Sequence, residues 1–250
     1  MAHTTPEFIN LKTADLDQNI YRIFGLQRFL ELTETSLNTL VRPRLWDDPF
    51  ENALLSAPAA TSTGSPFTFG FRDSLYGQCW TTKRDSDAMW RIYSSDKAGV
   101  RLRTTIRALV ASLRDTCVTF PELSCFIGRV EYLSQTKLMS RLGDPSVAAA
   151  LSLDPTGRGQ ATSLLMKRTE FSHEREVRLV HFTHDPAITG DVYQYTCDAP
   201  FLFDEVAFDP RLSPQLLALY AQHVRTLGFA NVIQSPLYRL PTLRIRLHGV

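Results

Sequence analysis

No apolar run in the chain approaches the roughly 20 residues that a membrane-spanning helix needs. Met1 to Phe8 holds neither a basic patch nor an apolar stretch, so no signal peptide is expected and the expected compartment is the cytoplasm. Cysteine is scarce. Cys79, Cys117, Cys125 and Cys197 show none of the short spacings of a zinc knuckle or a thioredoxin motif, so reduced structural thiols and no metal are expected. An excess of either charge is missing too: 27 basic residues face 26 acidic ones and leave a formal +1. That balance gives no global attraction to nucleic acid or membrane, while leaving room for a local basic groove. Internal repeats are absent. Gly157-Arg158-Gly159 lacks the spacing and the Lys-Ser/Thr pair of a phosphate loop, and no Gly-x-Ser-x-Gly elbow occurs. His181 and His184, three apart on an extended segment, point to opposite faces and make a poor metal pair.

What is present describes a globular protein. Hydrophobic residues at 44% and charged residues at 21% suffice for a sizeable core, and 250 residues fit one domain spanning 1–250. Ser56 to Pro66 reads as a surface loop and Asp154 to Gly159 as a second one. Strands are expected at Ile20 to Phe24, around Leu40-Val41, and at Gln78 to Thr82, Gly99 to Thr104, Phe126 to Leu133, Glu174 to Phe182, Val192 to Cys197 and Glu205 to Phe208. Helices are expected from Leu26, over Asp85 to Tyr93, along Ile106, Leu109, Val110 and Leu113, over Ser163 to Phe171, and from a Ser213 cap with Pro214 to a stop near Gly228. Strands and helices mix without a strict βαβ rhythm. The pattern therefore predicts an α+β fold with a mixed or antiparallel sheet, split or continuous, and packed helices.

The most informative stretch is Glu174 to Phe182. A period of two sets Glu174, Glu176, Arg178, Val180 and Phe182 on one strand face and Val177, Leu179 and His181 on the other. Two carboxylates on one face are an unusual choice for a strand, because like charges repel. Arg178 can neutralise one and leave the other for chemistry or ligand binding. A solvent-facing edge strand with a surface ion pair would give the same pattern, but Val180 and Phe182 speak for a buried face. Trp80, Trp90 and Tyr93 flank a strand-to-helix connection, where they form either core or a flat wall for stacking a nicotinamide or a base. Asp47 and Asp48 before Pro49 read as a turn-capping pair, and Lys167 and Arg168 as a solvated helix face.

Taken in order, several blocks resemble a bacterial family known as domain of unknown function 2971. They are Tyr21-Arg22, Asp48-Pro49-Phe50-Glu51, Cys79-Trp80-Thr81-Thr82, Met89-Trp90-Arg91-Ile92-Tyr93-Ser94, Lys97-Ala98-Gly99-Val100, Glu174-Arg175-Glu176-Val177-Arg178-Leu179 and the stretch from Asp204 to Leu240. The chain departs from that family where Asp47 stands for an asparagine and Thr81 for a serine, and where Phe171 stands for a tryptophan. The order Arg22, then Trp80, Thr81, Trp90 and Tyr93, then Glu176, is also similar to ADP-ribosyltransferase sites. That likeness implies NAD as substrate, with Arg22 on a phosphate or ribose hydroxyl and Tyr93 or Trp90 on the nicotinamide. It implies Glu176 on the ribose 2′-hydroxyl and Glu174 activating the acceptor; Arg178, beside them on the strand, is counted with Arg22, Trp80, Thr81, Trp90 and Tyr93 among the expected cofactor-binding residues. Transfer to a protein or nucleic-acid acceptor, or hydrolysis by water, would then follow, and a bacterial toxin or anti-phage role is associated with small transferases of this kind. Two other readings stand beside it: a non-catalytic module binding a nucleotide or partner segment, and a metal-dependent hydrolase or nuclease using Asp48, Glu174 and Glu176.

Overall fold

A computed structural model describes residues 7–52, 59–60, 63–67, 70–117, 120–183 and 185–242. The strands that matter are β1 (Phe8–Ile9), β2 (Asn19–Phe24), β3 (Leu37–Val41), β4 (Leu75–Thr81), β5 (Val100–Thr105), β6 (Cys125–Arg129), β7 (Glu131–Leu133), β8 (Met166–Arg168), β9 (Glu176–Phe182), β10 (Val192–Thr196), β11 (Glu205–Phe208) and β12 (Val232–Gln234). A 10-stranded sheet runs in the order β1-β6-β9-β4-β2-β5-β11-β12, with β3 joined to β4 and β10 to β3. Its pairings are antiparallel except β1 with β6 and β11 with β12. Strands β7 and β8 form a separate parallel pair. The fold is thus α+β with a mixed, mostly antiparallel sheet, as the sequence pattern predicts.

Strand β9 lies inside the sheet. It pairs along β4 from Glu176↔Thr81 to Phe182↔Leu75, and along β6 from Val177↔Arg129 to His181↔Cys125. Glu176 to His181 are all buried, so both faces are covered and the surface-edge alternative does not apply. The other side of β4 is where the sheet forks. It meets β2 at Tyr21↔Thr81 and β3 at Val41↔Gly77, one residue pair each. A cleft opens between the two prongs.

Helices cover the faces. α1 (Leu26–Thr35) buries Phe29 and Leu32 and stops where Ser36 turns left-handed at φ 56. Besides two single turns, Pro121–Ser124 and Ala199–Leu202, the other α-helices among the described residues are α2 (Asp87–Tyr93), α3 (Ile106–Arg114), α4 (Gln135–Leu142), α5 (Pro145–Ser152), α6 (Arg158–Ser163) and α7 (Pro214–Thr226). α3 buries the stripe Ile106, Leu109, Val110 and Leu113 that its spacing predicts. In α7, Ser213 accepts a bond from the Leu216 amide, and the chain leaves at Gly228 with φ +97. The main core joins α1, α3 and α7 to Ile20, Leu102, Ile127, Val177, Leu179 and Phe208. A smaller one, on the opposite face of β9, holds Leu75, Phe126, Leu164, Leu165 and Val180. No helix among the described residues is long and apolar enough to cross a membrane.

Four expectations need correction. The predicted helix over Ser163 to Phe171 ends at Ser163. The chain then extends as β8 and coils into a 3-10 turn, Thr169–Glu174, because β7 supplies backbone partners and Leu164, Leu165 and Met166 are all buried. The predicted strand Phe126 to Leu133 is two strands, since β7 leaves the main sheet to pair with β8. Glu174 precedes β9 rather than belonging to it. The predicted loop Asp154 to Gly159 already contains the start of α6 at Arg158. Within the predicted loop Ser56 to Pro66, Ala59 and Ala60 pair with Phe67 and Pro66 as two short antiparallel strands, while 56–58 and 61–62 lie outside the described residues.

Candidate active site

The site is built on the β9 face that carries Glu176 and Arg178. Immediately before β9, Arg175 takes a left-handed conformation with φ 46, which closes the 3-10 turn and brings Glu174 back beside Glu176. The Thr81 hydroxyl holds that turn by donating to the Glu174 carbonyl. Parallel pairing of β8 with β7 delivers Lys167 from a third direction. A fourth component, Glu51, comes from the 3-10 turn Pro49–Asn52.

These side chains interlock. Lys167 Nζ lies 2.5 Å from Glu174 Oε2, 2.6 Å from Glu176 Oε1 and 2.9 Å from Glu51 Oε1. Arg178 donates from Nε to Glu176 Oε2 at 2.6 Å, from Nη2 to Glu51 Oε2 at 2.6 Å and from Nη1 to the Leu164 carbonyl at 2.7 Å. The Arg178 side chain is 0% exposed, and the Trp46 ring covers its guanidinium at 4.4 Å. Gly77 makes that cover possible, because a Cβ there would sit 2.5 Å from Trp46. Nearby, Asp48 accepts from Arg168 at 3.0 and 3.3 Å.

Charge counting explains the titration of this cluster. Lys167 and Arg178 balance Glu51 and Glu176, which leaves Glu174 as a third acid in a buried place. Burial and its hydrogen bond with Glu176 push Glu174 up to about 8, so it carries a proton at neutral pH. Burial acts on Glu176 in the same sense, but Arg178, Glu174 and Lys167 outweigh it and hold Glu176 well below the usual carboxylate range. Burial of Lys167 is likewise outweighed by Glu176 and Glu51, so the ammonium persists. This ammonium occupies the point on which the three carboxylates converge.

The cluster forms one wall of a cavity of about 620 Å³ in the fork of the sheet, within the roughly 300–1,000 Å³ usual for small-molecule sites. Glu174, Glu176, Lys167 and Phe171 line one side, and Tyr21 to Gly25 of β2 and its end line another. Arg22 forms no ion pair or hydrogen bond among the described residues, and packs over the Phe24 ring at 5.4 Å. Burial lowers its pKa without any carboxylate to offset that cost. A partly buried, unpaired guanidinium on a cavity wall is suited to a bidentate anion such as a phosphate. Tyr93, at the C-terminal end of α2 and 43% exposed, faces the same space. Cys79 also borders it, but burial and the Glu176 charge push its thiol up to about 12, so it is no thiolate nucleophile.

Of the residues singled out from the sequence, Glu174, Glu176, Arg22, Trp80, Thr81 and Tyr93 meet around this cavity, while Trp90 and Arg178 stand behind it. Trp90 is fully buried against Ile23 and Met89. The Trp80 ring is engaged elsewhere, stacked on Phe203 at 5.9 Å and donating its indole N–H to Gln78. That leaves Tyr93 as the available aromatic from the central motif. The serine of that motif is structural. Ser94 Oγ donates to buried Asp209 at 2.6 Å and accepts from the Gly99 amide at 2.9 Å, which anchors the end of α2. Two contributors escape a reading of the sequence. Glu51 is visible there only as the last residue of the Asp48-Pro49-Phe50-Glu51 block. Lys167 is hidden by the helical look of its segment, which suggests a solvated face.

No curated protein matches the sequence significantly. Among solved structures, Thermus sp. 2.9 DarT in complex with NAD+ is 11% identical with a TM-score of 0.38, covering 87% of this chain and 95% of that one. Thermus sp. 2.9 DarT in complex with ADP-ribosylated ssDNA is also 11% identical, with a TM-score of 0.40, covering 87% and 93%. Residues 89–179, from α2 into β9 and including Tyr93, Lys167, Glu174, Glu176 and Arg178, match the family described as a protein of unknown function (DUF2971), the family whose motifs this sequence resembles.

Proposed function

We propose that the cavity binds NAD and that the chain is an ADP-ribosyltransferase or NAD glycohydrolase. One observation carries the reading: an ionised carboxylate, Glu176, clamped by two cations on a wall of the cavity that Arg22 lines without a partner. Arg22 takes a phosphate of the dinucleotide and Tyr93 packs on the nicotinamide. Glu176 accepts from the ribose 2′-hydroxyl. As the bond from ribose C1′ to the nicotinamide nitrogen breaks, both electrons pass to that nitrogen and positive charge builds on the sugar. A fixed negative charge beside it stabilises that transition state. Glu174 takes the proton of the attacking hydroxyl, from water or from a protein or nucleic-acid acceptor. A role as a bacterial toxin or anti-phage effector is part of the same proposal.

The metal-dependent alternative has less support, because Lys167 sits among Glu51, Glu174 and Glu176, and Asp48 is engaged by Arg168. A nucleotide-binding module without chemistry would use the same cavity and is separated by turnover. The direct test is isothermal titration with NAD alongside nicotinamide release. Binding with release supports the enzyme, binding without release favours the module, and no binding sinks simple NAD hydrolysis.

Two further outcomes are expected. Arg22→Ala should weaken NAD affinity by about 10- to 100-fold, the worth of a charged hydrogen bond, with little change in urea stability. An unchanged dissociation constant would remove Arg22 from the site. The pH profile of nicotinamide release should rise with pH through a midpoint of about 8, because Glu174 is a base only after losing its proton. In Glu174→Gln that limb should disappear; its persistence would assign the ionisation to another group.

A further inference from the structure

On the opposite face of β9 from the carboxylates, Cys117, Cys125 and His181 are drawn together from three elements: the segment after α3, the start of β6, and β9. One ligand atom from each lies within 4.8 Å of the others, and the two sulfurs are 3.0 Å apart. His181 is 4% exposed, its ring is stacked on Tyr193 at 3.9 Å, and its Nδ1 is buried with no hydrogen-bond partner. A buried ring nitrogen left without a partner, on a histidine gathered with two thiols, is costly unless a further group satisfies it. Spacing along one strand counts against His181 and His184 as a pair, and His184 lies outside the described residues. Cysteines arriving from other elements are invisible to such spacing.

We infer that Cys117, Cys125 and His181 form a site for a zinc-class divalent ion, with two thiolates and one imidazole as protein ligands. The donor set is the one such ions select, since sulfur and imidazole nitrogen are the preferred ligands of zinc. Tetrahedral binding at zinc–sulfur distances of about 2.3 Å needs the sulfurs about 3.8 Å apart. Cys117 can supply that movement, because it is half-buried and lies beyond the last turn of α3. Its exposed side leaves the fourth position to water. The ion would tie α3 to the two central strands, away from the cavity. The site is independent of the proposed chemistry at Glu176.

The test is titration of the chelator-stripped full chain with Co²⁺, in a phosphine reductant that keeps the thiols reduced, followed by displacement with Zn²⁺. One equivalent of Co²⁺ should produce a thiolate-to-cobalt charge-transfer band that Zn²⁺ removes. Cys117→Ser and His181→Gln should each weaken binding by at least about 10-fold, the lower end of what lost metal-site contacts cost. Cys197→Ser should leave binding unchanged. The proposal fails if no band develops, or if Cys117→Ser, its fold checked by circular dichroism, binds Co²⁺ as tightly as the unaltered chain.

Discussion

Glu176→Gln is expected to slow nicotinamide release from NAD by about 10²- to 10³-fold, the cost of removing one preorganised electrostatic contact to a transition state. NAD affinity should stay nearly constant, because the amide oxygen still accepts from Arg178 and the ribose hydroxyl. Lys167 gives up its Glu176 bond and keeps Glu174 and Glu51. The substitution should also leave the fold intact, for a reason specific to this cluster. Glu174 is held protonated by burial and by its bond with Glu176. Once Glu176 is neutral, Glu174 can ionise and restore two anions against Lys167 and Arg178. Single-turnover assays with NAD titration separate the possibilities. Loss of turnover with binding retained supports the assignment. Parallel loss of both would reduce Glu176 to a structural ion-pair partner, and full activity would remove it from the chemistry.

The largest expected effect on stability comes from Arg178→Met. This side chain is fully buried and donates hydrogen bonds to Glu176, Glu51 and the Leu164 carbonyl. Without the guanidinium, two carboxylates are left with Lys167 alone, and one uncompensated buried charge typically costs about 3–5 kcal/mol. Urea denaturation measures the loss. The double variant Arg178→Met/Glu51→Gln should regain part of it, because the removed cation is then matched by a removed anion. If Arg178→Met costs less than about 1 kcal/mol, the cluster is better solvated than its burial implies.

Arg178 also illustrates how far one-dimensional reading reaches. The Glu-x-Glu-x-Arg pattern marks a strand face with unusual charge and suggests that Arg178 shares in ligand binding. Its place behind the cavity depends on Trp46, which packs over it from a segment more than a hundred residues earlier. Lys167 shows the converse. Ser163 to Phe171 has helix-forming residues and a plausible helical spacing, yet partner strand β7 claims the middle of it. Backbone pairing between segments overrides local propensity wherever the apolar residues fit either geometry.

What this sequence determined by itself was therefore the content of its local elements. The helical stripe of α3, the Ser213-Pro214 start of α7, the alternation within β9 and the motif blocks all follow from interactions between residues a few positions apart. The tertiary structure alone decided the fork between β2, β3 and β4 and the left-handed Arg175 that returns Glu174 to Glu176. It also decided the meeting of Lys167 with Glu51 and the gathering of Cys117, Cys125 and His181. Those features arise from burial and pairing between distant segments, whose energies depend on the whole packed arrangement and leave no periodic trace along the chain.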